Sequence, residues 1–270
     1  MQIFTWNDVQ NFLNTGIQNS FFEKGCGISV GSFDGLHLGH RQLISELVEK
    51  CHIENLSPGL VTFKRPLPSI KHTSDYQGDL TSLEQRLKLF ESLNIEFVIV
   101  VDFDETFASL LGTDFFNILV NACNLQLIAE GVDFRCGYKG ATDTQAIRYF
   151  AENNNIETIF LSPVYYHEGS DEEERVSSSF IRSMVLKGFF STVEELLKRP
   201  YQIDLKNIDN PEKIDNKFYY SLNKINQVIP PKGIYLCKDN NLETVRIEIT
   251  EDYIIANNIN NINKIESLTF

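Results

Sequence analysis

The 270-residue chain has few of the features that mark membrane, secreted or nucleic-acid-binding proteins. No apolar run approaches the ~18 residues of a membrane-spanning helix, and the first residues carry no basic flank followed by an apolar segment. Basic residues are scarce, with 24 Lys and Arg against 37 Asp and Glu, and they form no basic stripe. We therefore expect a cytoplasmic protein that binds neither a membrane nor nucleic acid.

Cysteines are also few, and their spacing is irregular. The five thiols lie at positions 26, 51, 123, 136 and 237, without a Cys-x-x-Cys pair. This pattern favours buried thiols in a reducing compartment over disulfides or a zinc site.

Between residues 25 and 161, short apolar runs alternate with helical patterns. The apolar runs predict strands at 27–30, 60–63, 97–101, 127–130 and 158–161. The helical patterns cover 38–50, 83–93, 114–123 and 144–153, with Ser82 and Gln85 as a capping box and Thr113 as an N-cap. Such alternation predicts an α/β fold with a parallel, doubly wound sheet that carries helices on both faces.

The composition changes after Tyr201. Residues 204–270 are rich in Asn, Ile, Lys and Asp, with strand-like pieces near 233–237, 245–249 and 253–256. We expect a domain of residues 1–203 followed by a small β-rich domain of residues 204–270.

The most informative run is Gly-Ser-Phe-Asp-Gly-Leu-His-Leu-Gly-His at residues 31–40, between a predicted strand and a predicted helix. Glycines at 31, 35 and 39 let the backbone approach an anion closely. His37 and His40 bracket the helix start, where they can donate hydrogen bonds to phosphate oxygens beside the positive end of the helix dipole. The run therefore predicts a phosphate-binding turn.

Three further runs carry polar or aromatic candidates whose own chemistry leaves alternatives open. Ser177, Ser178 and Ser179 open a helix that extends towards Gly188, where hydroxyls either cap the helix or bind an anion, and Arg182 lies one turn in. A glycine-bounded turn at 131–137 holds Asp133 and Arg135. Phe63 lies in a run at 61–66 that by itself indicates a turn after a strand.

These runs together resemble the bacterial bifunctional riboflavin kinase/FAD synthetase family, a branch of the nucleotidyltransferase superfamily with its His-x-Gly-His signature. Residues 31–40 match Gly-x-Phe-Asp-Gly-x-His-x-Gly-His, and residues 176–182 are similar to Ile-Ser-Ser-Thr-x-Ile-Arg. Residues 131–137 are similar to Gly-x-Asp-Phe-Arg-Phe-Gly, with Cys136 in place of the second Phe, and residues 196–201 to Leu-Leu-Gly-Arg-Pro-Tyr. The resemblance covers about residues 25–201.

The resemblance implies a nucleotidyltransferase fold and an FMN adenylyltransferase activity, with ATP and FMN as substrates and Mg²⁺ bridging the phosphates. The implied catalytic residues are His37, His40 and Arg182, with the serines and Arg182 holding the leaving pyrophosphate. We expect Asp34 to brace its turn by accepting local backbone N–H groups. The implied nucleotide- and flavin-binding residues are Gly31, Ser32, Phe33, Asp34, Gly35, Gly39, Phe63, Asp133, Arg135, Ser177, Ser178 and Ser179.

Two departures limit what the resemblance implies. The run at 61–66 lacks the histidine of the family's Phe-x-Pro-His-Pro segment, and nothing after residue 201 matches the kinase motif Gly-Arg-x-x-Gly-x-Pro-Thr-Ala-Asn. We expect a reduced kinase-like domain without kinase activity, a separate riboflavin kinase that supplies FMN, and an adenylylation site that stays chemically complete without residues 205–270. Two alternatives remain open: a non-catalytic flavin or nucleotide sensor, and an adenylyl- or cytidylyltransferase with another phosphorylated acceptor.

Overall fold

The computed structural model describes residues 1–15, 20–66, 76–208, 211–214, 217–257 and 265–270. The chain divides into two compact units. The first unit comprises Met1–Phe33, Gly39–Leu67 and Leu87–Val164, and the second comprises Asp34–Leu38, Pro68–Arg86 and Tyr165–Phe270. The short segment Asp34–Leu38, from the middle of the predicted phosphate-binding turn, thus belongs to the same unit as the C-terminal region.

Up to residue 161 the chain consists of helices and strands that mostly alternate. In order they are β1 (Gln2–Thr5), α1 (Trp6–Thr15), β2 (Cys26–Val30), α2 (Leu38–Ile53), β3 (Ser57–Phe63), α3 (Leu83–Ser92), β4 (Phe97–Val101), α4 (Glu105–Ala108), α5 (Gly112–Cys123), β5 (Leu125–Gly131), β6 (Arg135–Cys136), β7 (Thr142–Asp143), α6 (Thr144–Asn153) and β8 (Glu157–Leu161). Every strand and helix predicted in this region is confirmed, with shifts of a few residues at the ends.

The first unit is built on a six-stranded parallel sheet of order β1-β4-β3-β2-β5-β8. Ile28 and Val30 belong to one hydrophobic cluster with Phe116 of α5. On the opposite face, a Cβ added to Gly27 would lie 2.4 Å from the Sγ of Cys51, so α2 packs closely there. Helices therefore cover both faces, which confirms the predicted doubly wound α/β class.

The two predicted caps have different outcomes. At the start of α3, Ser82 N–H donates to the Gln85 side chain (3.0 Å) and Gln85 N–H donates to Ser82 Oγ (3.2 Å), so the capping box is confirmed. The Thr113 cap is wrong. Because Gly112 is already helical, Thr113 lies inside the first turn, and Leu111 occupies the cap position without a side-chain hydrogen bond.

The second unit contains a seven-stranded antiparallel sheet within the described part of the chain. Its order is β11-β17-β14-β15-β16-β13-β12, and it follows two helices and a two-stranded hairpin. The elements are β9 (Tyr165–Tyr166), β10 (Glu174–Arg175), α7 (Ser178–Lys187), α8 (Phe190–Leu197), β11 (Gln202–Asp204), β12 (Glu212–Ile214), β13 (Lys217–Ser221), β14 (Gly233–Lys238), β15 (Thr244–Ile249), β16 (Tyr253–Asn257) and β17 (Ser267–Thr269). The β-rich C-terminal region is confirmed, and the boundary at residue 204 stays a prediction.

Across the described ranges, the helices are all too short or too polar to cross a membrane.

Candidate functional site

The turn at residues 31–37 joins the carboxyl end of β2 to the start of α2. A Cβ at Gly31 would lie 3.3 Å from the Phe33 ring, so this position has little room for a side chain. Phe33, Gly35 and Leu36 all have positive φ angles, which are costly for the two residues that are not glycine. Phe33 and Leu36 are buried, and this packing holds the turn in its strained conformation. The predicted glycine-rich connection is therefore a rigid, packed turn.

The turn also lies beside the point where the strand order of the sheet reverses. β2 has β3 on one side and β5 on the other, and later strands extend the sheet in both directions. In open α/β sheets, ligands bind beyond the carboxyl ends of the strands at this switch point. The location agrees with a ligand-binding role for the motif.

His37 immediately precedes α2, and His40 lies in the first turn of that helix. His37 is 6% exposed. Burial first, and then the positive charges of Arg175 and Arg182, lower the pKa of His37 from 6.5 to about 4. At neutral pH its imidazole is uncharged, with one donor and one acceptor nitrogen. The ring of His40 packs edge-on against Phe33, with the two centroids 5.3 Å apart.

Asp34 lies inside the turn with its carboxylate buried. The carboxylate accepts hydrogen bonds from Leu80 N–H (2.9 Å) and from Thr81 N–H and Oγ1–H (both 3.0 Å). The Thr81 hydroxyl oxygen in turn accepts from Gly35 N–H at 3.0 Å, and Ser178 Oγ donates to the Asp34 carbonyl at 2.8 Å. Asp34 therefore braces the turn as expected, but its backbone donors come from residues 80 and 81, not from local N–H groups.

Arg182 forms a buried ion pair with Asp34 through its Nη2 atom. Its Nε donates to the Gly78 carbonyl at 2.8 Å, and its guanidinium lies over the Tyr76 ring, 5.1 Å from the centroid. These contacts tie Arg182 to the support of the turn. The direct phosphate contact that the motif implies stays a prediction.

The three serines at the start of α7 have different surroundings. Ser177 is the N-cap, and its Oγ accepts from Phe180 N–H at 3.1 Å. Ser178 reaches the Asp34 carbonyl, and Ser179 is exposed. The structure thus brings Asp34, Ser178 and Arg182 together within the second unit, while Ser177 uses its hydroxyl to start the helix.

Three other predicted residues lie in the first unit. Phe63 is buried among aromatic rings, 5.9 Å from Phe103 and 6.1 Å from Phe107 between centroids. Arg135 lies 3.8 Å from the Asp143 carboxylate and donates to the Gly140 carbonyl at 3.2 Å. Asp133 is exposed after β5. Their binding roles stay predictions.

Sequence reasoning missed two ionisable residues. The Val30 N–H donates at 2.6 Å to the carboxyl of Glu130, which is 2% exposed. Burial raises the pKa of Glu130 well above its ordinary value. The backbone pairing of β2 with β5 ends at Ile28. Beyond that residue, the Glu130 side chain takes the place of a backbone acceptor for Val30 N–H, near the carboxyl ends of the two strands. A carboxylate directly after the apolar residues 127–129 was the available signal.

Arg175 is the second missed residue. It is exposed on β10, directly after the acidic run at 171–174. Its charge is one of the causes that lower the pKa of His37. The acidic residues before it gave no reason to expect this proximity, because the fold alone brings β10 towards the turn of the same unit.

The described residues offer no cluster of ligating side chains for a resident metal ion. No group of three or more His, Cys, Asp or Glu side chains in those ranges could hold one. The Asp34 carboxylate, which lies in the motif, is already engaged by Leu80, Thr81 and Arg182.

Comparisons with known proteins agree with this arrangement. The family model described as FAD synthetase matches residues 20–180. A bifunctional riboflavin kinase/FMN adenylyltransferase of Buchnera aphidicola subsp. Schizaphis graminum is 30% identical over 229 residues, which cover 83% of this chain and 72% of the relative. The protein with the same description from Escherichia coli K12 is 28% identical over 217 residues, covering 79% and 67%.

A solved structure described as a macrolide-efflux protein from Streptococcus pneumoniae has a similar fold. The TM-score is 0.71 with 20% sequence identity, over 90% of this chain and 91% of that one. At this identity the likeness extends to the fold alone.

The family model covers more than half of the chain, and the turn at residues 31–37 lies within the matched residues. The relative at 30% identity is itself covered over 72% of its length. On these grounds the chain belongs to the FAD synthetase family.

Proposed function

We propose that this chain transfers the adenylyl group of ATP to FMN, giving FAD and pyrophosphate. The observation that carries the proposal is the packed turn at residues 31–37, which places His37 and His40 at the start of α2 beside the strand-order switch. The FMN adenylyltransferase descriptions of the relatives supply the nature of the acceptor.

The chemistry needs no covalent enzyme intermediate. An FMN phosphate oxygen attacks the α-phosphorus of ATP in line, and the bond from that phosphorus to the bridging oxygen breaks, so the electron pair leaves with pyrophosphate. Catalysis then consists of positioning and of stabilising charge on the phosphoryl oxygens. The uncharged imidazole of His37 donates a hydrogen bond to those oxygens. His40 and the first backbone amides of α2 donate further hydrogen bonds to them.

The residues at the start of α7 are proposed to face the leaving pyrophosphate. Ser178 and Ser179 provide hydroxyls there, next to the positive end of the helix dipole. The contacts of Arg182 favour an indirect part, in which it holds Asp34 and thereby the turn, over a direct contact with pyrophosphate.

The required divalent cation is proposed to arrive with the nucleotide. Mg²⁺ is commonly bound through substrate phosphates and water with few protein ligands. This agrees with the lack of a three-residue carboxylate, histidine or cysteine cluster among the described residues. No step of the mechanism is assigned to a protein-held metal.

The test is to incubate purified protein with ATP, Mg²⁺ and either FMN or riboflavin, and to separate the flavins by chromatography. We expect FAD from FMN, and no FAD when the cation is chelated. FMN that binds without being adenylylated would support the sensor alternative instead. FAD-like products from other phosphorylated acceptors, at rates above that with FMN, would support the other-acceptor alternative.

Riboflavin is expected to remain unphosphorylated, so that FMN comes from a separate kinase. In support, residues 204–270 contain no Pro-Thr pair and a single glycine, Gly233. A glycine-lined phosphate-binding loop is therefore hard to build from these residues.

A further inference from the structure

One side chain of the C-terminal region, Gln227, is buried against the segment that holds Asp34. Gln227 is 5% exposed and lies between β13 and β14. Its Nε2 donates to the Leu80 carbonyl at 3.2 Å and to the Gln202 carbonyl at 2.9 Å. Its Oε1 accepts from Asp204 N–H at 2.7 Å. Both ends of the amide are therefore engaged, and one of them reaches residue 80.

The backbone on either side of Gln227 makes a second connection to the same segment. Asp79 N–H donates to the Asn226 carbonyl at 2.8 Å, and Val228 N–H donates to the Asp79 carbonyl at 2.9 Å. The Val228 carbonyl accepts from the buried Tyr201 hydroxyl at 2.7 Å. Residues 226–228 thus pair with Asp79 like a short parallel strand.

The Leu80 peptide group links this pairing to the phosphate-binding turn. Its carbonyl accepts from Gln227, and its N–H donates to the Asp34 carboxylate. Gln227 is therefore connected to Asp34 by two successive hydrogen bonds through Leu80, and the three residues belong to the second unit. Since these groups are buried, breaking one bond leaves a polar group without its partner and the peptide free to rotate.

We propose that Gln227 is a positioning residue for adenylyl transfer, which acts through Leu80 and Asp34 on the turn that carries His37. The catalytic part of this inference rests on the proposed function. It makes the C-terminal region a working part of the transferase site. The expectation that the site stays chemically complete without residues 205–270 stays a prediction, and this proposal opposes it because residues 226–228 bond directly to residues 79 and 80.

The test compares Gln227→Met with Tyr220→Phe in the full chain. The methionine side chain has a similar length but cannot make the hydrogen bonds of the glutamine amide. Tyr220 is a matched control, since its buried hydroxyl accepts from Ile265 N–H (3.0 Å) and donates to the Ile265 carbonyl (3.1 Å) within the same C-terminal region. Both variants lose buried hydrogen bonds of the C-terminal region, but the bonds of Gln227 lead to Asp34.

We expect Gln227→Met to lower kcat for FAD formation by about 10- to 10²-fold, because a small misplacement of reacting groups is enough for such a loss. The KM for FMN should change by less than about threefold, since the substitution removes no side chain that is predicted to bind the flavin. Tyr220→Phe should keep kcat within about twofold of wild type. Equal kcat losses in the two variants, measured well below their unfolding temperatures, would overturn the proposal.

Amide hydrogen exchange gives a readout that does not depend on activity. In Gln227→Met the Leu80, Thr81 and Gly35 amides should exchange faster than in wild type, while Tyr220→Phe leaves them unchanged. Unchanged exchange in Gln227→Met overturns the proposal even if kcat falls. If the wild-type chain makes no FAD, the proposed function fails, and exchange alone decides whether Gln227 holds the Asp34 turn.

A second variant covers the case in which Gln227→Met does not fold. Gln227→Glu keeps an oxygen for Asp204 N–H but places the other oxygen against the Leu80 and Gln202 carbonyls. The same loss of kcat and the same faster exchange at residues 80 and 81 are expected. Wild-type exchange and kcat in Gln227→Glu would contradict the proposal.

Discussion

The buried ion pair between Asp34 and Arg182 predicts a large loss of stability when the cation is removed. The side chains are 2% and 7% exposed, so the carboxylate cannot turn to water when its partner is lost. Removing one partner of a buried pair costs about 3–5 kcal/mol. In Arg182→Met, Asp34 still accepts from Leu80 N–H and from the N–H and hydroxyl of Thr81, which places the expected loss near the lower end, at about 3 kcal/mol.

The measurement is urea unfolding of the wild type, Arg182→Met, Asp34→Asn and the double variant. Because the neutral amide no longer needs the cation, the double variant should lose less than the sum of the two single variants, by about 1–3 kcal/mol. Arg135→Met is the control, since Arg135 pairs with Asp143 at an exposed site and such pairs contribute about 0–1 kcal/mol. A loss in Arg182→Met no larger than in Arg135→Met, or strictly additive losses, would refute the structural role of Arg182.

Four further predictions concern catalysis and pH. His40→Ala should lower kcat by about 10²–10³-fold with a smaller effect on the KM for ATP, in steady-state assays, as expected for a lost transition-state donor; wild-type turnover would contradict this role. The pKa of His37 is lowered to about 4, so stability should fall as the pH drops from 6.5 towards 4, because the unfolded chain takes up the proton first; an NMR titration of the imidazole with a midpoint at 6.5 or above would disprove it. The pKa of Glu130 is raised, so its contribution should be lost as the pH rises from the ordinary carboxyl value through the folded-state value. Glu130→Gln should abolish that part of the pH dependence of the unfolding free energy, measured by urea unfolding at several pH values. An unchanged pH dependence in this variant would speak against a buried neutral acid. Purified protein with riboflavin and ATP should form no FMN by chromatography, and a time-dependent FMN peak would show that the C-terminal region retains kinase chemistry.

Local sequence signals predicted most strands and helices of the first unit and the place of the turn at residues 31–37. Apolar runs of strand length and helical periodicity predicted the parallel sheet, since each signal depends on neighbouring residues. Ser177 and Gly188 marked both ends of α7 for the same reason, as an N-cap oxygen and a residue with positive φ. The run at 31–40 indicated a strand, a turn and a helix start, and all three are present.

Tertiary structure alone decided how the turn is held. The partners of Asp34 come from 46 to 148 positions away, and the Glu130 side chain reaches Val30 across 100 positions. Gln227 meets Leu80 across 147 positions. The sequence identified Arg182 as a cation one turn into a helix, but it could not show that the cation pairs with a buried carboxylate. Such hydrogen bonds depend on which distant segments the chain topology brings together, and neither residue type nor local spacing carries that information.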